Sequence, residues 1–179
     1  MPDRRIIAML VAATVVAGGI VGIAVGGENP SRQQVIAERG ATVMPFSLDA
    51  TTHVFNATAT GGTQRVVADD PRDSEQIRLI RQHLHGEGAA FKRGDFADPA
   101  TIHGRDMPGL TALERGYERI QVRHSDLADG AQITYRTADR ALAEAVGAWF
   151  ATQLRDHGAD AAPAGHSGDD HSAHPGHGG

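Results

Sequence analysis

The chain has 179 residues, carries a net charge of −5 at pH 7 and contains no cysteine. This length suits one domain with appended segments, and the negative charge predicts that nucleic acid is not a partner. The lack of cysteine excludes disulfide bonds, thiolate metal ligands and a thiol nucleophile. Only 4% of the residues are aromatic, so the core must be mainly aliphatic.

The N-terminus carries an apolar stretch at residues 6–26. Residues 1–5 include two arginines, and no charged residue occurs from 6 to 25. A helix of about 20 apolar residues spans the hydrocarbon core of a bilayer, and the basic flank predicts that residues 1–5 stay in the cytoplasm. We therefore predict a single-pass signal-anchor in the cell membrane, with the lipid bilayer as its partner. The alternative is a cleaved signal peptide and a secreted protein.

Three further regions follow the predicted anchor. Residues 27–40 are predicted to form a juxtamembrane linker, in which residues 32–40 can extend as a helix, and residues 41–160 an extracytoplasmic α+β domain. Residues 161–179 are rich in Gly, Ala, His and Pro, which predicts a disordered tail.

The first half of the domain has the pattern of a hairpin followed by a helix. Residues 53–57 and 64–68 are extended runs, and Gly61-Gly62 is the predicted turn. Asp70 is a suitable N-cap with Pro71 at the first helical position. Apolar residues then recur at helical spacing, at Ile77, Ile80, Leu84 and Phe91.

Residues 92–115 contain many Gly, Asp and Pro, which predicts an irregular segment with a short helix at 110–115. A second hairpin is then predicted from residues 120–125 and 132–137, with Asp129-Gly130 as its turn. A second amphipathic helix follows, with its apolar face at Leu142, Val146, Trp149, Phe150 and Leu154. Two ββα units of this kind predict a four-stranded antiparallel sheet with both helices on one face.

Three blocks of the sequence resemble a family of small exported or membrane-anchored bacterial proteins of unknown function. The blocks are MPFSLDATTHVF, DDPRDSEQIRLIRQHLHGEGAAFKRGDFADPATIHGRDMPGL and WFATQLRDHGADA. Members of that family sometimes carry the label aspartate carbamoyltransferase. This chain is too short for the two α/β domains of such an enzyme and lacks its Ser-Thr-Arg-Thr phosphate loop. The resemblance therefore implies a fold unit and an export route, and no chemistry.

The tail predicts one metal site. Four histidines share a short segment with two aspartates, and these histidines are His166, His171, His174 and His177. Neutral imidazoles suit Cu(II), Ni(II) and Zn(II), and a flexible chain can fold around the ion. The alternative is a solvating tail that happens to be rich in histidine.

A second metal site is predicted within the domain. Its candidate ligands are His53, His83, His103, Met107 and His157. If both helices pack side by side, their C-terminal ends lie near one edge of the sheet, and the segment with His103 and Met107 can cover that edge. Imidazole and thioether without thiolate suit copper, particularly Cu(I). The alternatives are structural: Met107 can anchor the segment to the core, and His157 suits a helix C-terminus without a metal.

These observations favour a membrane-anchored extracytoplasmic protein that binds or sequesters a transition metal, with copper preferred. The alternative is a metal-independent ligand- or protein-interaction module, with the open face of the sheet as its binding surface and its partner unidentified. A third reading is a hydrolase in which His103 and nearby carboxylates act as acid and base. The sequence has no nucleophile elbow, phosphate loop or HExxH spacing, so an enzyme is the less favoured reading.

Overall fold

A computed structural model describes residues 31–163. The elements, in chain order, are α1 (Arg32–Val43), β1 (Thr51–Thr58), β2 (Gly61–Ala68), α2 (Ser74–Phe91), α3 (Ala97–His103), α4 (Leu110–Gly116), β3 (Gln121–Asp126), β4 (Gly130–Arg136), α5 (Arg140–His157) and β5 (Ala161–Pro163). The fold is α+β, with one mixed sheet in the order β3-β4-β2-β1-β5.

The sheet has five strands, so the predicted four-stranded antiparallel sheet was wrong. The first four strands pair antiparallel, as predicted, but β5 adds to the edge of β1 in parallel, with His53 opposite Ala161 and Phe55 opposite Pro163. Strand β5 has only three residues, too few for an alternation of apolar and polar residues to be seen in the sequence. Its proline has no backbone N–H to donate, which suits the edge position. Residues 161–163, predicted as part of the tail, are therefore part of the sheet.

Both hairpins are present, but the first turn differs from the prediction. The β1–β2 register runs from Thr51 opposite Ala68 to Thr58 opposite Gly61, so Ala59 and Thr60 form the turn and both glycines lie in β2. Packing explains the glycine at position 62: a Cβ atom there would lie 2.6 Å from the Phe150 ring. Gly62 thus permits close contact with α5 rather than a turn.

The two long helices, α2 and α5, cover one face of the sheet. Helix α2 packs on β3 and β4, and α5 packs on β1 and β2. Ring centroids of Phe91 on α2 and Trp149 on α5 lie 5.7 Å apart, so the helices meet over the sheet. Helix α2 begins later than predicted, because Asp73 rather than Asp70 accepts the capping hydrogen bond, from the Gln76 amide at 3.1 Å.

Residues 32–40, predicted as a linker, form most of α1. This helix starts with a capping box in which Ser31 and Gln34 bond each other's backbone. It packs against α3 and α5, and Ile36 is only 1% exposed. The packed domain therefore includes a helix that precedes residue 41.

The segment around His103 was predicted to be irregular, and this was wrong for Ala97–His103, which is the helix α3. Pro99 is its third residue, in the first turn, where a backbone N–H has no acceptor within the helix. Gly104 ends the helix with a φ of 95°, a conformation that favours glycine. The predicted short helix near residue 110 is confirmed as α4.

None of the helices in residues 31–163 combines the length and the apolar character that a membrane crossing requires. The predicted anchor at 6–26 and the four tail histidines lie outside the described residues.

We expect Ile36→Ala to lower the free energy of unfolding by about 2–4 kcal/mol, the usual cost of truncating a fully buried Ile. Val35→Ala is the matched control: this neighbour is half-buried, and its truncation should cost less than about 1 kcal/mol. Urea unfolding followed by circular dichroism measures both. Equal effects of the two substitutions would contradict the packing of α1 on the domain.

Candidate functional site

Four of the five residues predicted as a domain metal site line one small pocket. Its volume is about 30 Å³. Its polar lining residues are His53, Gln64, His83, Glu87, Asp98, His103, Gln153 and His157. About 10–15 Å³ suffices for one water molecule, so the pocket has room for an ion or a few waters, not for an organic substrate.

Three imidazoles reach this pocket from three different elements. His53 lies on the inward face of β1, beside β5. His103 and His157 are the last residues of α3 and α5, and each is followed by a glycine with positive φ, 95° at Gly104 and 58° at Gly158. These glycines end both helices abruptly, as is typical of helix C-termini. The two terminal histidines therefore lie where the helices stop, above the same edge of the sheet.

The His157 ring contacts the rings of both His53 and His103. The His53 and His157 rings are stacked, with centroids 4.9 Å apart and planes inclined by 14°. The His103 ring meets His157 edge-on at 5.2 Å. His83 lies across the pocket on α2, and its ring contacts Phe46 at 5.6 Å. The sequence therefore predicted a set of histidines that the fold brings together.

Met107 does not belong to this set. It is 4% exposed and packs in the hydrophobic core, and it does not line the pocket. Its position matches the structural alternative, in which the side chain anchors its segment to the core.

His103 is held by a buried carboxylate that sequence analysis missed. Its Nδ1 lies 2.9 Å from Oδ2 of Asp156, whose side chain is fully buried. Arg32 of α1 donates to both oxygens of that carboxylate, from Nε at 2.7 Å and from Nη2 at 2.6 Å. Burial raises the pKa of Asp156, but the hydrogen bonds from Arg32 and His103 outweigh it and leave the pKa below its usual value. Asp156 is therefore a charged acceptor.

The histidines of the pocket are neutral near pH 7. Burial, together with a smaller effect of neighbouring imidazoles, lowers the pKa of His53 to about 3 and that of His157 to about 4. Burial also lowers the pKa of His103, although Asp156 and, more weakly, the nearby side chain of Gln153 act in the opposite direction. Since a carboxylate only accepts hydrogen bonds, neutral His103 carries its hydrogen on Nδ1. Its Nε2 then has a free lone pair.

Two nitrogens of these imidazoles lack a hydrogen-bond partner. They are Nδ1 of His53 and Nε2 of His103, and both are buried. Buried polar atoms without a partner are uncommon in native proteins and call for an explanation. Between residues 31 and 163, however, no three His, Asp or Glu side chains already have the geometry of a metal site. The stacked rings would have to rotate to direct their nitrogens at one point.

A second polar chain enters the pocket from the core. The Tyr135 hydroxyl donates to Oε1 of Gln64 at 2.9 Å, and Nε2 of Gln64 donates to Oε2 of Glu87 at 3.4 Å. Burial of the carboxyl group, together with the nearby charge of Asp98, raises the pKa of Glu87 to about 8. Glu87 is therefore largely protonated at neutral pH.

The boundary between the pocket and solvent is also acidic. A larger surface groove shares four lining residues with the pocket: Val43, His83, Glu87 and Asp98. Asp98 is exposed, so its carboxyl group lies at this boundary.

Comparisons of the chain with protein-family models, with curated proteins and with solved structures gave no significant match. The chemistry of the pocket must therefore be argued from its own residues.

We expect Glu87→Gln to change the pH dependence of stability. Because folding raises the pKa of Glu87 from 4.5 to about 8, the folded chain binds more protons between these values. The contribution of Glu87 to the free energy of unfolding is thus fully present at low pH. It is lost as pH rises through this window, by about 1.4 kcal/mol per pH unit. Urea unfolding of both proteins between pH 5.5 and 7.5 should give slopes that differ by about this amount. Exposed Glu38→Gln is the control, and a Glu87→Gln slope equal to that of the control would contradict the assignment.

Proposed function

We propose that the protein binds a divalent transition-metal ion in the histidine pocket, with His53, His103 and His157 as ligands. The observation that carries this proposal is the pair of buried, unpartnered imidazole nitrogens in a cavity of about 30 Å³. A transition-metal ion that accepts these lone pairs would give both nitrogens a partner, and a cavity of this volume has room for one such ion.

The protonation states support the proposal. Metal ligands must be deprotonated, so protons compete with the ion wherever an imidazole is basic. Burial is the main reason that the pKa of His53 is about 3 and that of His157 about 4, so protons do not compete for these two imidazoles above about pH 5. The hydrogen bond from Nδ1 of His103 to Asp156 supplies the outer carboxylate that metal-bound histidines commonly have.

The choice of metal follows from the ligands. Three imidazoles without sulfur suit Cu(II) and Zn(II), and Glu87 and His83 lie close enough to line the same cavity. The preference for Cu(I) depends on the Met107 thioether. The Met107 side chain packs in the core rather than against the pocket, so the pocket adds no support for Cu(I). The preference for Cu(I) therefore stays a prediction.

The remaining parts of the proposal concern residues outside the described range. Residues 6–26 would anchor the chain in the cell membrane with the domain outside the cytoplasm, and cleavage there would instead give a secreted protein. The tail residues His166, His171, His174 and His177 would collect Cu(II), Zn(II) or Ni(II) loosely. The histidine pocket would then hold one ion more selectively than the tail does. It would lie in a domain built from two ββα units.

One observation favours a metal-independent interaction module as the second candidate. The sheet face opposite the helices carries Arg65, Arg123 and Arg136, and none of them forms an ion pair within residues 31–163. Three free guanidinium groups on one face suit an acidic partner. The hydrolase reading has less support, because no Ser, Thr or Tyr is among the described residues that line the histidine pocket.

The test uses the full chain in detergent with the four tail histidines replaced by alanine, here called the tail-silent chain. We expect calorimetric titration with Zn(II) and with Cu(II) at pH 7 to show one site with a Kd below about 1 μM. His157→Phe keeps a ring against His53 but removes a ligand. It should weaken binding about 100-fold or more, because losing a ligand costs at least as much as losing a group that orients one.

His85→Phe is the matched control, since His85 is exposed on α2 and does not line the pocket. It should bind both ions like the tail-silent chain. If the tail-silent chain binds neither ion, or if both substitutions have the same effect, the pocket is not a metal site. The arginine face of the sheet would then be the place to seek function.

A further inference from the structure

We propose that Arg32 is a positioning residue of the histidine pocket: acting through Asp156, it holds His103 in the tautomer whose Nε2 is free to bind an ion. The use of that nitrogen as a ligand rests on the proposed function; the control of the tautomer does not.

The geometry around Asp156 carries the first step. Its side chain has no exposed surface, whereas 57% of the Arg32 side chain is exposed. The Nε and Nη2 groups of Arg32 bind one carboxylate oxygen each, the forked arrangement that guanidinium favours. Arg155 is the other cation nearby, but its Nε is 3.8 Å from Oδ1, beyond hydrogen-bond distance. Arg32 is therefore the main counter-charge of this buried carboxylate.

The second step leads from Asp156 to His103. Of the two carboxylate oxygens, Oδ2 receives both Nη2 of Arg32 and Nδ1 of His103. A charged carboxylate can only accept, so it selects the tautomer with the hydrogen on Nδ1. Arg32 also donates from Nη2 to the backbone carbonyl of His103 at 3.3 Å, and so holds the end of α3 directly.

The third step concerns α1 as a whole. Without Arg32, the Asp156 carboxylate would lose the fork of two hydrogen bonds that fixes it, and it could turn toward Arg155, whose Nε lies 3.8 Å from Oδ1. An imidazole that no longer donates from Nδ1 to this carboxylate is free to carry its hydrogen on Nε2, which blocks that lone pair. The Nε2 lone pair of His103 is thus kept free only while α1 is docked, and α1 is the described helix nearest in sequence to the proposed anchor.

The chain offers a matched control on the same helix. Arg39 also lies on α1 and also donates to a backbone carbonyl of α3, that of Ile102 at 3.4 Å. It makes no hydrogen bond to Asp156. Arg39→Gln therefore removes an arginine, its charge and a contact with α3, but leaves the carboxylate paired.

The experiment compares Arg32→Gln, Arg32→Lys and Arg39→Gln in the tail-silent chain. Nitrogen-15 chemical shifts of the His103 ring, recorded without metal, report which nitrogen carries the hydrogen. We expect an Nδ1–H tautomer in the parent and in Arg39→Gln, and a shift toward the Nε2–H tautomer in Arg32→Gln. Arg32→Lys, which keeps the charge, should restore the parent shifts. Loss of a structural contact alone would not distinguish the two glutamine variants.

Titration with Zn(II) gives the second readout. Arg32→Gln should weaken binding 10–100-fold, the usual effect of losing groups that orient a ligand, and Arg39→Gln should not. Nitrogen shifts in Arg32→Gln equal to those in Arg39→Gln would overturn the role of Arg32. A parent that binds no Zn(II) but shows the expected shifts would overturn the proposed function and leave the control of the tautomer standing.

Discussion

A fully buried carboxylate at the end of α5 is the constraint on which the rest of the structure depends. Asp156 lies in the last turn of that helix, where the helix dipole disfavours a negative charge. A buried charge is stable only with a charged partner and with its hydrogen bonds made. Arg32 from α1 and His103 from α3 supply these bonds at 2.6–2.9 Å. One side chain thus ties three helices together at the pocket.

The crowding of neutral imidazoles follows from this arrangement. His103 is fixed by Asp156, and His157 follows Asp156 in the chain. His53 lies in β1 with its ring stacked on that of His157, which also contacts the His103 ring. Burial keeps each of these imidazoles in its neutral form. Two of their nitrogens have no hydrogen-bond partner. An apolar core would fill the same space at lower cost, so the cluster points to a role other than stability. Strongly shifted ionisable groups beside a cavity are typical of functional sites.

Sequence periodicity was enough to predict the α+β class, both hairpins and the two long helices, because these depend on neighbours close in the chain. It failed where distant contacts decide. Strand β5 has three residues and forms only because β1 offers a free edge. Helix α1 is weakly amphipathic, and its place in the domain depends on Ile36 and Arg32 meeting residues far along the chain.

The same division holds for the pocket. Four histidines could be predicted: His103 and His157 end helices, His53 lies in β1, and His83 follows the apolar stripe of α2. Arg32 and Asp156 could not, since they are 124 positions apart and neither lies in a motif. Met107 was included among the predicted ligands because its thioether can bind copper. Its apolar side chain is instead stabilised by burial in the hydrophobic core. A His-Gly pair at the end of α3 and another at the end of α5 were the available local signal.

The most direct test is X-ray absorption spectroscopy of the tail-silent chain loaded with one equivalent of Cu(II) or Zn(II). The account predicts a metal bound by about three imidazoles, seen as multiple scattering from the rings, with no sulfur neighbour. In the His157→Phe protein one of these imidazoles should be missing. A metal surrounded only by oxygen ligands, or an imidazole number that this substitution leaves unchanged, would contradict the account.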